Sequence, residues 1–208
     1  MIIFCGTSNK GKLREFQQVA RECGAQFELR AVEAPPPEEH GHTFEETAIE
    51  KALYYSRHLG TDGTNHVFAD DSGLEVDALS GAPGVHSARF AGPGATDADN
   101  NRLLITKLNG IQNRSARFVC AIALVRDGEL IRTFRGAVDG RILDAPRGPH
   151  GFGYDPLFYH EPFGCTFGEA DDARKNSVSH RAQALSAMFA FLRGDEDSGK
   201  IRSSSSRR

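Results

Sequence analysis

RFVCAIALVRDGELIRTFRGAV, Arg117 to Val138, is the clearest structural statement in the chain. Two runs rich in β-branched, aromatic and other apolar residues flank Asp127-Gly128, a pair favoured in two-residue hairpin turns. The spacing predicts a long antiparallel hairpin. Working outward, IIFCG (Ile2 to Gly6) is a short buried-strand pattern, and FELRAV (Phe27 to Val32) reads as a second strand. VFA (Val67 to Ala69) is a third. Helical periodicity lies between them. Leu13, Phe16, Val19, Ala20 and Cys23 recur at spacing three or four, with Gly24 as the stop. Thr43 and Glu46 form a capping-box pattern ahead of the stripe Phe44, Ala48, Ala52, Tyr55 and Leu59. ATDADNNRLLITKLNG (Ala95 to Gly110) begins with a cap and becomes a helix, and another runs from Ser179 to Arg193. Helices interleaved with strands, plus one hairpin, predict a mixed α/β fold.

The 208 residues suit one domain, or one domain with two lobes. Residues 1–194 are assigned to it. The remainder, 195–208, is polar, has almost nothing to bury and is expected to be a disordered tail. The net charge of -3 argues against a nucleic-acid partner held by bulk phosphate attraction. No apolar run approaches the roughly 18–20 residues of a membrane helix, so no membrane partner is expected. The start MIIFCGTSNKGK lacks a secretory pattern, and Cys5, Cys23, Cys120 and Cys165 form no C-x-x-C pair. The expectation is a cytoplasmic protein with reduced thiols, three of them core filler.

Three stretches carry candidate chemistry. Gly6 to Lys12 follows a strand and opens a helix, matching the start of a P-loop, G-x-x-x-x-G-K. The next residue is Leu13 where a P-loop needs Ser or Thr for magnesium. The anion-binding physics of a helix start survives that mismatch, with Thr7, Ser8, Asn9, Lys10 and Lys12 as donors and charges. A capped helix with solvated lysines fits the same residues.

FADDSGLEVDALSGAPG (Phe68 to Gly84) places two carboxylates, Asp70 and Asp71, where a strand is expected to end. Magnesium takes one or two carboxylates plus phosphate oxygens, and Glu38 or Glu39 on the Pro-rich loop could add a ligand. The alternative is an Asx-turn. His40 and His42 have no zinc spacing and read as exposed. In GPHGFGYDPLF (Gly148 to Phe158), Phe152 or Tyr154 could stack on a flat ring, or pack into the core. In KNSVSHRAQAL (Lys175 to Leu185), His180 and Arg181 fall in a first helical turn, where cations are disfavoured unless an acceptor faces them.

Six blocks, TSNKGKLREF, TFEETAIEKA, ADDSGLEVDALSGAPGVHSARFAG, ARFVCAIAL, GFGYDPLF and KNSVSHRAQAL, occur in order from Thr7 to Leu185. Together they closely resemble the inosine triphosphate pyrophosphatase family, also called XTP/dITP diphosphatases. The resemblance implies a two-lobed α/β fold, a long mixed β-sheet flanked by helices, and a nucleotide-binding cleft between the lobes. It also implies a magnesium-dependent homodimer. Such enzymes hydrolyse ITP, dITP and XTP to the monophosphate and pyrophosphate. By motif, Thr7, Ser8, Asn9, Lys10, Gly11 and Lys12 would hold the triphosphate. Asp71 would serve the metal and activate water, with Glu39 as a second metal-side carboxylate and Ser72 touching substrate. Phe152, Gly153, Tyr154 and Asp155 would form the base and sugar pocket, and Lys175, His180 and Arg181 would read the base. In that role Arg181, with a protonated or suitably oriented His180, would donate to a 6-oxo group. Thr47 stands where the family usually has Asn, and Gly168 and Ala170 depart from its usual pattern. The competing readings are a P-loop-like kinase or GTPase, a nucleotide sensor without turnover, and a related pyrophosphatase for a different base.

Overall fold

A computed structural model describes residues 2–7, 9–24, 28–60 and 65–194. The expected tail, 195–208, lies outside the described residues. Twelve named strands and α-helices are introduced here. They are β1 (Ile2–Cys5), α1 (Lys10–Glu22), β2 (Glu28–Ala31), α2 (Phe44–Leu59), β3 (His66–Val76), α3 (Asp97–Lys107), β4 (Ser115–Arg126), β5 (Glu129–Ile142), β6 (Phe158–His160), β7 (Cys165–Thr166), α4 (Asp172–Asn176) and α5 (His180–Arg193). One seven-stranded sheet runs in the order β2-β1-β3-β4-β5-β6-β7. β1 is parallel to both β2 and β3, and the remaining pairings are antiparallel.

The predicted hairpin is β4–β5. Arg126 pairs with Glu129 across a two-residue loop in which Asp127 and Gly128 have φ of 51° and 81°. Positive φ at both positions is the requirement of a type I′ turn, which Asp-Gly meets. β4 alternates strictly between faces. Cys120, Ile122 and Leu124 pack with Phe16 and Val19 of α1 and Leu185, Met188 and Phe189 of α5. Val119, Ala121, Ala123 and Val125 face Ala48, Ala52 and Tyr55 of α2. Helices on both faces explain why a central strand reads as a continuous apolar run. Three cysteines are core filler: Cys5 and Cys120 are buried among the α1/α5 cluster and Cys23 packs against it.

A second lobe grows from the far half of the same long strands. Leu74, Val76, Ala116, Phe118, Val138 and Ile142 close over Leu104 of α3 and over Leu157, Phe158 and Phe167. The lobes therefore share a sheet, and their junction falls near Asp70–Gly73.

The helix caps follow the predicted chemistry. Thr43 and Glu46 complete a capping box on α2, Ser179 caps α5, and Gly194 ends α5 in a left-handed conformation. Where β5 passes under α5, a Cβ on Gly136 would land on the His180 carbonyl oxygen and within 2.9 Å of the Ala184 nitrogen. Both are helix backbone, which cannot swing aside. Gly136→Ala is expected to destabilise the fold by about 1–3 kcal/mol, the range for overpacking a closed core. A lower urea midpoint at unchanged slope would register this, and an unshifted midpoint would show that α5 can slide.

One boundary differs from expectation. β3 does not stop at the aspartates but continues eleven residues to Val76, because β4 pairs with it along its whole length, from His66↔Arg126 to Val76↔Ala116. What ends there is the parallel neighbour. β1 pairs only as far as Cys5↔Phe68, and the Gly6 amide donates to the Phe68 carbonyl. Asp70 and Asp71 thus lie just past the carboxyl end of β1, where α1 and α2 depart to opposite faces and open α/β sheets form their binding crevices.

Candidate active site

Successive residues of a strand point to opposite faces. Asp70, in phase with Phe68, faces α1 and α5, while Asp71, in phase with Ala69, faces α2. The two charges therefore meet different partners. Lys12 Nζ lies 2.9 Å from Asp70 Oδ2, Arg181 Nε lies 3.7 Å from it, and Ser72 Oγ donates to it at 2.6 Å. Burial pushes the Asp70 carboxyl up, but Lys12, Arg181 and Lys51 outweigh it and hold the group well below the carboxylate range. Among the described residues, Asp71 has one ion-pair partner, Lys51 Nζ at 3.3 Å from Oδ1, and its buried Oδ2 has no hydrogen-bond partner. Lys51 is itself shared with Glu39 Oε1 at 3.1 Å, and Glu39 Oε2 accepts from Arg89 at 2.9 Å. Burial, with Asp70 and Glu39 nearby, pushes Asp71 up to about 6 against the pull of Lys51 and Lys12.

The Asx-turn alternative fails on geometry, since Asp71, Ser72 and Gly73 are ladder residues opposite Ala121, Cys120 and Val119. Gly73 is needed for space: a Cβ there would meet the Gly84 carbonyl oxygen at 2.5 Å and the Phe44 ring at 2.9 Å.

At the phosphate side, Asn9 is the N-cap of α1, and its Oδ1 accepts from the Gly11 and Lys12 amides at 2.8 and 3.1 Å. Two of the helix-start donors expected to face an anion are thus satisfied by the cap itself. Leu13 packs against the core, which is why no hydroxyl stands there. Ser8 and the Lys10 side chain lie outside the described residues.

The third wall comes from the Gly148–Phe158 loop and α5. Tyr154 is buried in the second-lobe core and its hydroxyl donates to the Ser87 carbonyl at 2.8 Å. Of the two candidates, that leaves Phe152 with its ring unanchored at the cavity, which Phe118 and Tyr154 also border. Lys175 Nζ is 4.8 Å and Arg181 Cζ 5.1 Å from the Phe152 centroid. Behind the ring a buried network joins Lys175 to Asp155 at 2.8 Å and to Glu15 at 2.9 Å, and Glu15 to Arg181 at 2.9 Å.

Asn9, Lys12, Glu39, Asp71 and Ser72 face Phe152, Gly153, Tyr154, Asp155, His180 and Arg181 around one cavity of about 200 Å³. Thr7, Gly11 and Lys175 do not line it. Thr7 Oγ1 accepts from the Asn9 amide at 3.2 Å, and Lys175 is locked between two carboxylates behind the Phe152 ring. His180 needs a further correction. Its ring stacks on Phe118 at 5.0 Å and 13°, and burial, then Arg181 and Lys175, hold its pKa well below the usual value. That direction favours the neutral ring over the protonated donor, and its Nδ1 has no hydrogen-bond partner among the described residues. His40 is exposed, 3.6 Å from Glu38, and among the described residues no group of three or more His, Cys, Asp or Glu is arranged to hold a metal.

A sequence model of the Ham1 family matches residues 3–191, from β1 to α5. The chain belongs to the Ham1 family. Curated Ham1-like relatives include the dITP/XTP pyrophosphatase of Desulfotalea psychrophila, 44% identical over 91% of this chain and 84% of that one. The dITP/XTP pyrophosphatase of an Exiguobacterium species is 46% identical over 93% of this chain and 100% of its own. Among solved structures, a HAM1 protein from Coxiella burnetii superposes with a TM-score of 0.83 at 37% identity, covering 93% of this chain and 99% of that one.

Two charged residues of this Ham1 site escaped the sequence reading. Lys51 lies three residues after Ala48 and four before Tyr55, so a cation on the apolar stripe of α2 was its signal. Glu15 offered less, because its partners Lys175 and Arg181 are 160 and 166 residues away. The departures from the family pattern prove local. Thr47 is buried with its hydroxyl donating to the Thr43 carbonyl at 3.0 Å. At Gly168 a Cβ would meet the Arg147 carbonyl oxygen at 2.6 Å, and Ala170 is buried beside it in the chain.

Proposed function

We propose that this chain hydrolyses deaminated purine nucleoside triphosphates (ITP, dITP and XTP) to the monophosphate and pyrophosphate, as a cytoplasmic homodimer. One observation carries the reading. Asp71, a carboxylate near pKa 6 with an unpartnered buried oxygen, faces the same cavity as Lys12 and Phe152. The names of the curated relatives support the substrate class. No described helix is long and apolar enough to cross a membrane.

The donor set fits magnesium. Asp71 and Glu39 already converge on one cation, the Lys51 ammonium, at 3.3 and 3.1 Å. Two carboxylates are what this ion commonly takes from protein, the rest being water and phosphate oxygen. Bound by Asp71 and Glu39, it would supply charge neutralisation and Lewis acidity toward the phosphoryl oxygens.

The chain's own residues supply the remainder. Asp71, whose Oδ2 has no hydrogen-bond partner among the described residues, accepts the proton of the attacking water. The water oxygen bonds to the α-phosphorus, the bond to the bridging oxygen of the β-phosphate breaks, and pyrophosphate leaves. Lys12 stabilises its growing charge. Phe152 stacks on the base, and Arg181 offers a donor to the 6-oxo group, which adenine's amino group cannot accept. Leaving such a buried donor unpaired costs roughly 1–3 kcal/mol, or about ten- to a hundredfold.

A panel of ITP, XTP, GTP, ATP and dTTP, scored for pyrophosphate and for phosphate, tests the whole reading. ITP and XTP are expected to lead by at least about tenfold, with pyrophosphate as product. Released phosphate would instead indicate a terminal phosphatase. Tight binding without turnover would indicate a sensor.

A further inference from the structure

Two side chains of α3, Asp97 and Asn101, grip the backbone of the aromatic loop, and Asp97 also borders the cavity. Asp97 Oδ2 accepts from the Gly153 amide at 2.7 Å, and Asn101 Nδ2 donates to the Gly153 carbonyl at 2.9 Å. Positions i and i+4 share one helix face, so a single stripe of α3 holds one residue at both its donor and its acceptor. Gly153 adopts φ +61°, a conformation L side chains rarely take. On the other flank the Phe152 amide donates to Asp155 Oδ2 at 2.9 Å, the same oxygen that accepts from Lys175. The Phe152–Gly153 step is thereby fixed from two sides, by α3 and by the Asp155–Lys175 pair, which leads on to Glu15 of α1.

α3 is firmly placed itself. Thr96 and Asp99 form a capping box at its start. Asn100 accepts from the Ala91 amide at 2.8 Å and donates to the Ala88 carbonyl at 3.2 Å, and Leu104 is buried in the second-lobe core. A loop carrying Gly148, Gly151 and Gly153 has large conformational freedom to lose. Holding its backbone before the ligand arrives moves that loss from binding to folding.

We propose that Asp97 and Asn101 are positioning residues for nucleoside recognition, presetting the Phe152–Gly153 segment as a rigid flat surface for the purine. The proposal rests on the function given above. It predicts a defect confined to the base end of the substrate. Asp97→Ala is expected to raise KM for ITP about ten- to a hundredfold, with kcat within about threefold of the parent. The inhibition constant of inorganic tripolyphosphate, which has no base, should stay unchanged. Asn101→Ala should shift KM in the same direction. Asp97→Asn retains an oxygen that can accept from the Gly153 amide and should restore KM to within about threefold.

Hydrogen exchange of the ligand-free protein gives a readout independent of turnover. Amides of 151–153 should exchange at least about tenfold faster in Asp97→Ala and Asn101→Ala, with β4 unaffected. Unchanged exchange in the loop would overturn the proposal, as would tripolyphosphate weakening in parallel with ITP. An Asp97→Asn variant as defective as Asp97→Ala would also overturn it, assigning Asp97 a direct charge contact with substrate. A parent protein that fails to turn over ITP would refute the function, while the exchange experiment would still decide the clamp.

Discussion

Asp71→Asn is expected to lower kcat by about 10²–10⁴-fold, the range for a positioned acid–base group, and at the same time to make the ligand-free protein more stable. The two effects share a cause. Folding raises the Asp71 pKa to about 6, against an unfolded value near 3.9. A carboxyl raised by folding binds its proton more tightly in the native state. Its contribution to stability is full below about pH 4 and is lost as pH rises through 6. Above pH 6 the ionised, half-paired carboxylate therefore costs on the order of 3 kcal/mol relative to a neutral group. Asn has no charge to bury, and Lys51 keeps Glu39 as a partner. A gain of about 1–3 kcal/mol at pH 8 is expected, at roughly 2–4 °C of melting temperature per kcal/mol for a chain of this size. The gain should disappear below about pH 4. Near-parental turnover in the variant would remove Asp71 from catalysis. A lost turnover with no gain in melting temperature would show that the native carboxylate is not held at a cost.

Arg181→Ala has the opposite signature. The guanidinium is buried and raised above its ordinary pKa because Glu15 and Asp70 outweigh the effect of burial. Removing it leaves Glu15 to Lys175 alone and deprives Asp70 of one of its two nearest cations. Breaking a buried pair from one side typically costs about 3–5 kcal/mol, so a large drop in the urea midpoint is expected. The folded remainder should show a selective defect. Arg181 borders the cavity, and its Nε, 3.7 Å from Asp70 Oδ2, has no hydrogen-bond partner among the described residues. kcat/KM for ITP and XTP should fall by roughly 1–3 kcal/mol more than for ATP. Arg181→Lys should recover much of the stability and little of the selectivity, because an ammonium lacks the planar fork. Equal losses for ITP and ATP would make Arg181 a phosphate or scaffold residue.

Most of the fold was legible because it is written locally. Asp127-Gly128 names its own turn, Thr43 and Glu46 name their own cap, and the α1 and α5 stripes show the 3.6-residue period. The end of β3 was misjudged because Asp is a poor strand former in isolation. What keeps Asp70 and Asp71 in the ladder is β4 beside them and two cations from other elements, Lys12 and Lys51. α4 was missed because it is only five residues long and carries no periodic stripe. Most of the residues singled out in the sequence border one cavity, but their states were not legible. A sequence offers His180 as a possible cation. Only the packing of Phe118 against its ring and the neighbouring Arg181 and Lys175 make it neutral. Likewise, Lys175 reads as a ligand-facing charge until Glu15 and Asp155 are seen to enclose it.

The strand that carries both aspartates assigns their jobs by parity. In the first half of β3, odd positions address α2 and even positions address α1 and α5, so the proposed identity as proton acceptor or as anchor belongs to the position in the pleat and not to the residue type. A slip of one residue between β3 and β4 would exchange the two carboxylates without altering a single amino acid. Chemical fidelity in this site is thus guarded by the pairing frame of the sheet. That frame is held along eleven consecutive pairs by a hairpin whose turn lies 56 residues further along the chain, at Asp127.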